Sequence, residues 1–457
     1  MEHKETIRID IPPAACRILE ALNANGFEGY IVGGCVRDAL IGRRANDWDI
    51  TTSALPQEVK GIFRRTIDTG IAHGTVTVMD DKEGFEVTTY RIDGDYSDGR
   101  HPDSVTFAGN LSEDLRRRDF TINAMAYHPG TGLVDLYGGV SDMENRLIRC
   151  VGDPYERFGE DALRILRAVR FSAQLNYRIE EKTLQAICDL APTLEKISHE
   201  RIRDEVNKLL ISDHPEYFRV LYETGITKVI LPEFDRMMET EQHNPYHQLS
   251  VGEHTLAVMQ NTPPERYLRW AALLHDVGKP DTKTVDSDGN THFRHHCSVG
   301  AEMARGILID YRWDNDTIRI VTRMIRWHDK RWPLERSFIR KAANRIGDDI
   351  FTDVLKLMHA DNCGKKEEIQ ELTRNHLNES ERIYRELKAA GECTQMKELA
   401  VNGRDLIKAG IPAGPKMGDL LQQLLDEVLE DAEKNDFDYL IGRAKELSAA
   451  DGKDMEA

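Results

Sequence analysis

Long apolar runs are missing from this sequence. None approaches the ~18 residues that a membrane-spanning helix needs, so no membrane partner is expected. The first residues, MEHKETIRIDIPPAAC, hold no apolar signal core. Cysteine is scarce, with seven residues scattered at positions 16, 35, 150, 188, 297, 363 and 393. They form no CxxC pair and no framework spacing, which excludes a disulfide scaffold and points to a reducing cytoplasm. Positive charge is in deficit as well, the formal net charge being −18. A protein that binds nucleic acid over its whole surface is usually basic, so a nucleic-acid partner here must lie in one groove. Arg64-Arg65, Arg116-Arg117-Arg118 and the arginines at 164, 167 and 170 are the local basic runs. No internal repeat is visible.

What is present centres on residues 30–52, YIVGGCVRDALIGRRANDWDITT. A strand-like run, Tyr30-Ile31-Val32, ends in Gly33-Gly34. Two glycines after a strand let backbone approach a bulky anion, because no Cβ intervenes. Asp47 and Asp49 are two apart, so on an extended strand they share a side. Paired carboxylates repel unless a cation sits between them, and oxygen-ligated divalent ions such as Mg²⁺ suit that role beside phosphate. Residues 73–79 and 85–90 alternate and predict a hairpin around residues 80–84. If it pairs beside the Asp47–Asp49 strand, Glu86 becomes a third carboxylate; otherwise it is an exposed strand residue.

Helices are predicted over residues 12–27 and over 55–63, the latter with Ser53 as N-cap. Residues 91–102 read as a polar, mobile loop. EDLRRRDFTINAMAY follows at 113–127, with three arginines that could hold triphosphate oxygens. On a helix over 159–171, Asp161 and Arg164 share a face and Arg167 and Arg170 extend the row. Spacing alone fits a surface ion-pair ladder as well as a binding face. Residues 184–231 look helical with a break at Gly225, and residues 231–234 mark a boundary. Histidine then becomes frequent: His254, His275-Asp276, His296 and His328, with Asp361 beyond them. Adjacent His and Asp cannot both face the core from one regular helix, and a metal at the helix end explains the pair. Imidazole and carboxylate donors suit Mn, Fe, Ni, Mg or Zn in a reactive site. Residues 364–390 predict a charged connecting helix. Helices are predicted again up to about residue 448, and the final AADGKDMEA reads as disordered.

Taken together, GGCVRDALIG, DWDITTSA, HGTVTV, FEVTTYR, RRRDFTINAMA and EDALRILRAVRF resemble the class II tRNA nucleotidyltransferase and poly(A) polymerase family of the polymerase-β-type superfamily. The resemblance resumes in ELAVNGRDLIKAGIPAGPKMGDLL. The middle of the chain resembles an HD-domain phosphohydrolase module. These resemblances imply an α+β head with a small mixed sheet, then all-α neck, HD and tail regions. The corresponding spans are 1–150, 151–240, 243–365 and 366–457.

The implied activity is template-independent addition of CCA to tRNA from CTP and ATP. The family's roles carry over to Asp47 and Asp49 as Mg²⁺ ligands, with Glu86 beside them. Gly34, Arg37 and Arg118 would meet nucleotide phosphates. Asp161 and Arg164 would read the base edge, and Arg167 and Arg170 would complete the pocket. The HD pattern carries over to His254, His275, Asp276 and Asp361 for one metal, with His296 and His328 as ligands of a second. Alternatives are a CC- or A-only enzyme, a poly(A) polymerase, or an HD phosphodiesterase with an RNA adaptor. Oligomeric state is not readable.

Overall fold

Pro13 opens the first helix, Pro13–Ala24, where a missing N–H costs nothing because no helical partner exists there. Ala15, Ile18, Leu19 and Leu22 recur at helical spacing and are all buried against the sheet that follows. The structure is a computed structural model and describes residues 8–45, 47–93, 105–107, 109–242, 249–364 and 367–453. The chain divides into two compact units, 1–232 and 233–457.

In the first unit seven strands form one mixed sheet. Their order is Thr66–Gly70, Thr75–Asp80, Glu83–Thr89, Asp49–Thr52, Gly29–Val32, Met125–His128 and Gly132–Asp135. Every neighbouring pair is antiparallel except one. Asp49–Thr52 runs parallel to Glu83–Thr89, with Ile50 opposite Val87 and Thr52 opposite Thr89. Burial fixes that register: Ile31, Ile50, Val76 and Val87 lie inside, and a one-residue slip would turn them all outward. Beyond the sheet, helices Pro154–Glu160, Leu163–Leu175 and His199–Leu210 follow, with Leu147–Ile148 and Arg178–Ile179 pairing as a short parallel ribbon.

Among its described residues the second unit is helical apart from a hairpin, Lys283–Val285 with Thr291–Phe293, so the all-α expectation misses this ribbon and the one that reaches the neck. Helices Val251–Gln260, Arg266–Leu274, His296–Asp310, Asn315–Trp327 and Phe351–Asp361 surround the histidine-rich region. The connecting helix runs Glu367–Ala389. Farther on, Leu406, Leu424, Leu425, Val428, Leu440 and Ala444 form a separate small core. Buried Arg340 donates from Nε to Leu429 O at 2.9 Å and from Nη2 to Glu430 O at 2.8 Å, which satisfies carbonyls at the end of the Lys416–Glu430 helix. Among the described residues no helix is long and apolar enough to cross a membrane.

Two local expectations change. Ser53 does not cap the helix after it, because its hydroxyl accepts from Glu28 N at 2.9 Å. The helix, Pro56–Ile62, is capped at Leu55, whose N–H donates to Glu58 Oε2 at 2.7 Å. The final residues are not all irregular: the last helix, Phe437–Lys453, continues past 448 because Leu440 and Ala444 pin its first turns to the small core. The loop expected over 91–102 lies outside the described residues from position 94 onward.

Candidate active site and metal centre

The predicted hairpin forms as Thr75–Asp80 and Glu83–Thr89 and sits beside the Asp49–Thr52 strand. Asp49 precedes Ile50 and Glu86 precedes Val87 in the parallel register, which makes the two carboxylates neighbours. Asp47 lies just ahead of the strand rather than within it. Burial raises the Asp49 carboxyl above its usual range, and Glu86 and Asp47 raise it further while Arg118 opposes them. The three acids thus share a crowded negative pocket, the donor set that a hard cation relieves.

Gly33 closes this pocket on the strand side. Its φ is +83°, and a Cβ there would stand 3.0 Å from Arg118 Nη1, so a side chain would both strain the turn and fill the cradle. Gly34 opens the next helix, Gly34–Leu40. Arg118 is held by the buried Asp114, whose Oδ2 is 3.3 Å from Arg118 Nη2 and whose Oδ1 is 2.7 Å from Arg117 Nη2. Burial alone would raise the Asp114 carboxyl, but the two guanidiniums hold it below its usual range.

A chain of hydrogen bonds then crosses from the glycine turn to the helix Leu163–Leu175. Arg37 Nη1 donates to Asn123 Oδ1 at 2.6 Å, Asn123 Nδ2 donates to Asp119 Oδ1 at 3.0 Å, and Arg167 Nη2 donates to Asp119 Oδ2 at 2.6 Å. Burial disfavours the Asp119 charge, yet Arg167 and Asn123 hold this carboxyl well below its usual range. The guanidiniums of Arg37, Arg167 and Arg170 all approach the Phe171 ring, at 5.0, 5.4 and 3.8 Å from its centroid. Burial pulls Arg170 down to about 10, opposed by Glu205, which lies 2.7 Å away.

The expected Asp161–Arg164 row is corrected here. The helix breaks at Asp161 (φ −144°, ψ 104°) and restarts at Leu163, so Asp161 is not on its face. Asp161 Oδ1 accepts from Leu163 N at 3.0 Å, and Oδ2 accepts from Arg201 Nη2 at 2.6 Å. A side chain that bonds local backbone competes with helix, and the break follows. Arg164 bonds Glu160 and the carbonyls of Arg157 and Arg117. Sequence spacing points to Asp161 and Arg164 but misses Arg201, which holds Asp161, and Asp114, Asp119 and Asn123, which hold Arg118, Arg167 and Arg37.

In the second unit His254, His275, Asp276 and Asp361 converge, their ligand atoms within 4.8 Å of one another. Helix Arg266–Leu274 ends before His275, so both His275 and Asp276 turn inward; a regular helix through them would not allow it. His254 Nε2 is 2.9 Å from Asp361 Oδ1, and His275 Nε2 is 3.1 Å from Asp276 Oδ2. Asp276 Oδ1 reaches the other side, 3.5 Å from His296 Nε2 and 3.6 Å from His328 Nε2. Three of these imidazoles are oriented alike. Nδ1 of His275, His296 and His328 meets the carbonyls of Ala272, Phe293 and Ile325 at 2.8, 2.8 and 2.7 Å. A carbonyl only accepts, so Nδ1 carries the proton and each Nε2 points into the cluster, the arrangement metal-binding histidines use.

The His275 Nε2 and both Asp276 oxygens find no hydrogen-bond partner of good geometry although buried. Lys279, missed from sequence, places Nζ 2.7 Å from Asp276 Oδ2. Gly278 makes the assembly possible: a Cβ there would lie 2.5 Å from His296 O and from Gly300 N, so only glycine lets the helix His296–Asp310 back onto the turn. Cys297, also missed, has its Sγ 3.5 Å from His296 Nε2.

A mixed sheet that presents three carboxylates beside a glycine turn and an anchored arginine defines a nucleotidyltransferase of the polymerase-β type. Residues 29–149 match the family model "Poly A polymerase head domain", residues 176–238 match "Probable RNA and SrmB- binding site of polymerase A", and residues 287–443 match a tRNA nucleotidyltransferase domain 2. A CCA-adding enzyme of Limosilactobacillus fermentum is 36% identical, over 98% of this chain and 99% of its own. One from Lactobacillus helveticus is 50% identical over 53% of this chain and 60% of its own. The crystal structure of the Bacillus stearothermophilus CCA-adding enzyme in complex with CTP superposes with a TM-score of 0.70 at 29% identity, covering 96% of this chain and 100% of that one. The chain belongs to the CCA-adding enzyme family.

Proposed function

We propose that this protein completes tRNA 3′ ends by adding CCA from CTP and ATP, with pyrophosphate released. The supporting observation is similarity along almost the whole chain to CCA-adding enzymes, joined to the Asp47–Asp49–Glu86 pocket beside Gly33. Asp47 and Asp49 would hold Mg²⁺, and Glu86 would complete the acidic wall. When bound, the metal supplies Lewis-acid polarisation of the attacking hydroxyl and of the triphosphate. Gly33 and Gly34 leave room for the phosphates, and Arg37 and Arg118 meet their charge. Asp114 and Asp119 keep the arginines in place.

Asp161 offers an acceptor and Arg164 donors. Cytosine and adenine both carry an exocyclic amino donor beside a ring-nitrogen acceptor, so one such pair takes both bases and rejects guanine and uracil. In this proposal the base displaces Arg201 from Asp161 and Glu160 from Arg164. Arg167 and Arg170 close the pocket. The four regions 1–150, 151–240, 243–365 and 366–457 act as head, neck, metal-binding domain and tRNA-binding tail, in the cytoplasm.

The test is extension of tRNA transcripts that lack their last three nucleotides. CTP alone yields CC ends, and CTP with ATP yields CCA ends. ATP-only tails would point to a poly(A) polymerase, and a permanent stop after CC to a CC-only enzyme.

A second activity is favoured by the inward Nε2 atoms and by the buried Asp276 carboxylate set among four of them. The residues His254, His275, Asp276 and Asp361 fit a divalent transition metal (Mn, Ni, Fe or Zn), with His296 and His328 on its far side. Such a centre hydrolyses phosphate esters, and 2′,3′-cyclic or 2′-phosphates on damaged RNA ends are the substrates that suit a tRNA-end enzyme. His275→Ala is expected to lower cyclic-phosphate hydrolysis about a hundredfold or more, in line with several kcal/mol of metal assistance. Equal, negligible rates in both proteins would sink this reading.

A further inference from the structure

The four donors on the far side of Asp276 differ in kind from those on the near side. The near side offers two imidazoles and carboxylate oxygen. The far side adds sulfur, since His296, Cys297 and His328 form a second buried group with ligand atoms within 4.8 Å of one another. Cys297 sits in the first turn of the helix His296–Asp310 and is buried. The histidine rings of 296 and 328 meet edge to face at 5.3 Å. Their Nδ1 atoms are bound to carbonyls, so only Nε2 is left for a ligand.

We propose that His296 Nε2, His328 Nε2, Cys297 Sγ and Asp276 Oδ1 form a closed tetrahedral subsite for a thiophilic divalent metal, zinc above all. The proposal rests on the second reading above, that the His254–His275–Asp276–Asp361 cluster binds metal. A tetrahedral zinc with bonds of ~2.3 Å to sulfur and ~2.0–2.1 Å to nitrogen and oxygen separates S from N by about 3.6 Å and O from N by about 3.4 Å. The sulfur of Cys297 is 3.5 Å from His296 Nε2, and Asp276 Oδ1 is 3.5 and 3.6 Å from the two histidines. Asp276 Oδ1 is buried and has no hydrogen-bond partner of good geometry among the described residues.

Four protein ligands leave no open position, which is the mark of a structural zinc site. Hydrolysis is then confined to the near side, and Asp276 bridges a fixed metal to an exchangeable one. Soft sulfur also makes the two sides select different ions, with Mn or Fe favoured near and zinc far. Binding releases the thiol proton, as it does at any cysteine ligand.

Cobalt reports on this directly in the full-length protein. With excess Mg²⁺ present to occupy the Asp47–Asp49 pocket, metal-stripped wild type is expected to take up about two Co²⁺ per chain and to show near-ultraviolet thiolate-to-cobalt charge transfer with intense tetrahedral visible bands. Cys297→Ser loses the charge-transfer band and binds the far ion roughly tenfold to a hundredfold more weakly or worse. Cys297→Asp keeps a ligand at the position, so it retains uptake while losing the band. His275→Ala loses the near ion and keeps the band. Thermal melts of all variants confirm folding. Cobalt uptake without the band, or a band that survives Cys297→Ser, overturns the subsite and leaves the near-side reading standing, since His275→Ala still strips an ion. A wild type that takes up no cobalt overturns both.

Discussion

Asp49→Ala is expected to lower CTP addition to truncated tRNA by about a thousandfold or more while tRNA affinity stays within about twofold. Several kcal/mol of Lewis-acid assistance is lost with the ligand, and each ~1.4 kcal/mol is a factor of ten in rate. Incorporation of labelled CTP and filter binding of tRNA separate the two effects. A melting curve sharpens the test. The folded pocket raises the Asp49 carboxyl through burial and through Glu86. An acid whose folded pKa lies above its unfolded value contributes stability below the unfolded value and loses it as pH rises through the folded one. At neutral pH without magnesium the ionised Asp49 therefore costs stability, and Asp49→Asn is expected to melt higher than wild type. An active Asp49→Ala protein, or an Asp49→Asn protein that melts lower, would refute the shared acidic pocket.

Asp119→Ala is expected to cost about 3 kcal/mol of stability in chemical denaturation, and to raise KM for CTP as well. Asp119 is buried and accepts from Phe120 N, Asn123 and Arg167 together. Removing one partner of a buried ion pair typically costs 3–5 kcal/mol, and the partial exposure of Arg167 keeps this case at the low end. The Asn123 amide and the Arg167 guanidinium are left without their acceptor, so Arg37 is loosened through Asn123. The pH dependence has a definite sign. The folded carboxyl lies below its unfolded value near ~3.9, so its contribution is full above that pH and disappears as pH falls below it. Asp119→Asn should therefore flatten the acid limb of wild-type stability. A variant with an unchanged denaturation midpoint and an unchanged acid limb would remove Asp119 from this role.

What sequence reveals here is set by how local each signal is. The hairpin carrying Glu86 is legible because its alternation spans a few residues, and Asp47 and Asp49 stand out because two acids two positions apart call for a counter-ion. Asp119 pairs with an arginine 48 positions away, and no periodicity reports that. The break at Asp161 is hidden because apolar spacing runs through it unbroken, while the competing bond, Asp161 to Leu163 N, depends on a side chain choosing its own backbone. Ser53 misleads for a similar reason: its hydroxyl is taken by a backbone amide 25 positions upstream. In the second unit the histidines announce themselves by number. Cys297 does not, since one cysteine among seven dispersed ones carries no spacing, and only folding brings it to His328.

The sole parallel neighbours in the sheet, Asp49–Thr52 and Glu83–Thr89, have a consequence for biosynthesis. Antiparallel arms meet early through short turns, whereas parallel arms wait for the intervening chain to double back. A nascent polypeptide halted before Glu83 can already pair Asp49–Thr52 with Gly29–Val32, yet it lacks the parallel neighbour that brings Glu86 beside Asp49. The third carboxylate therefore joins the other two only after the whole hairpin has been made.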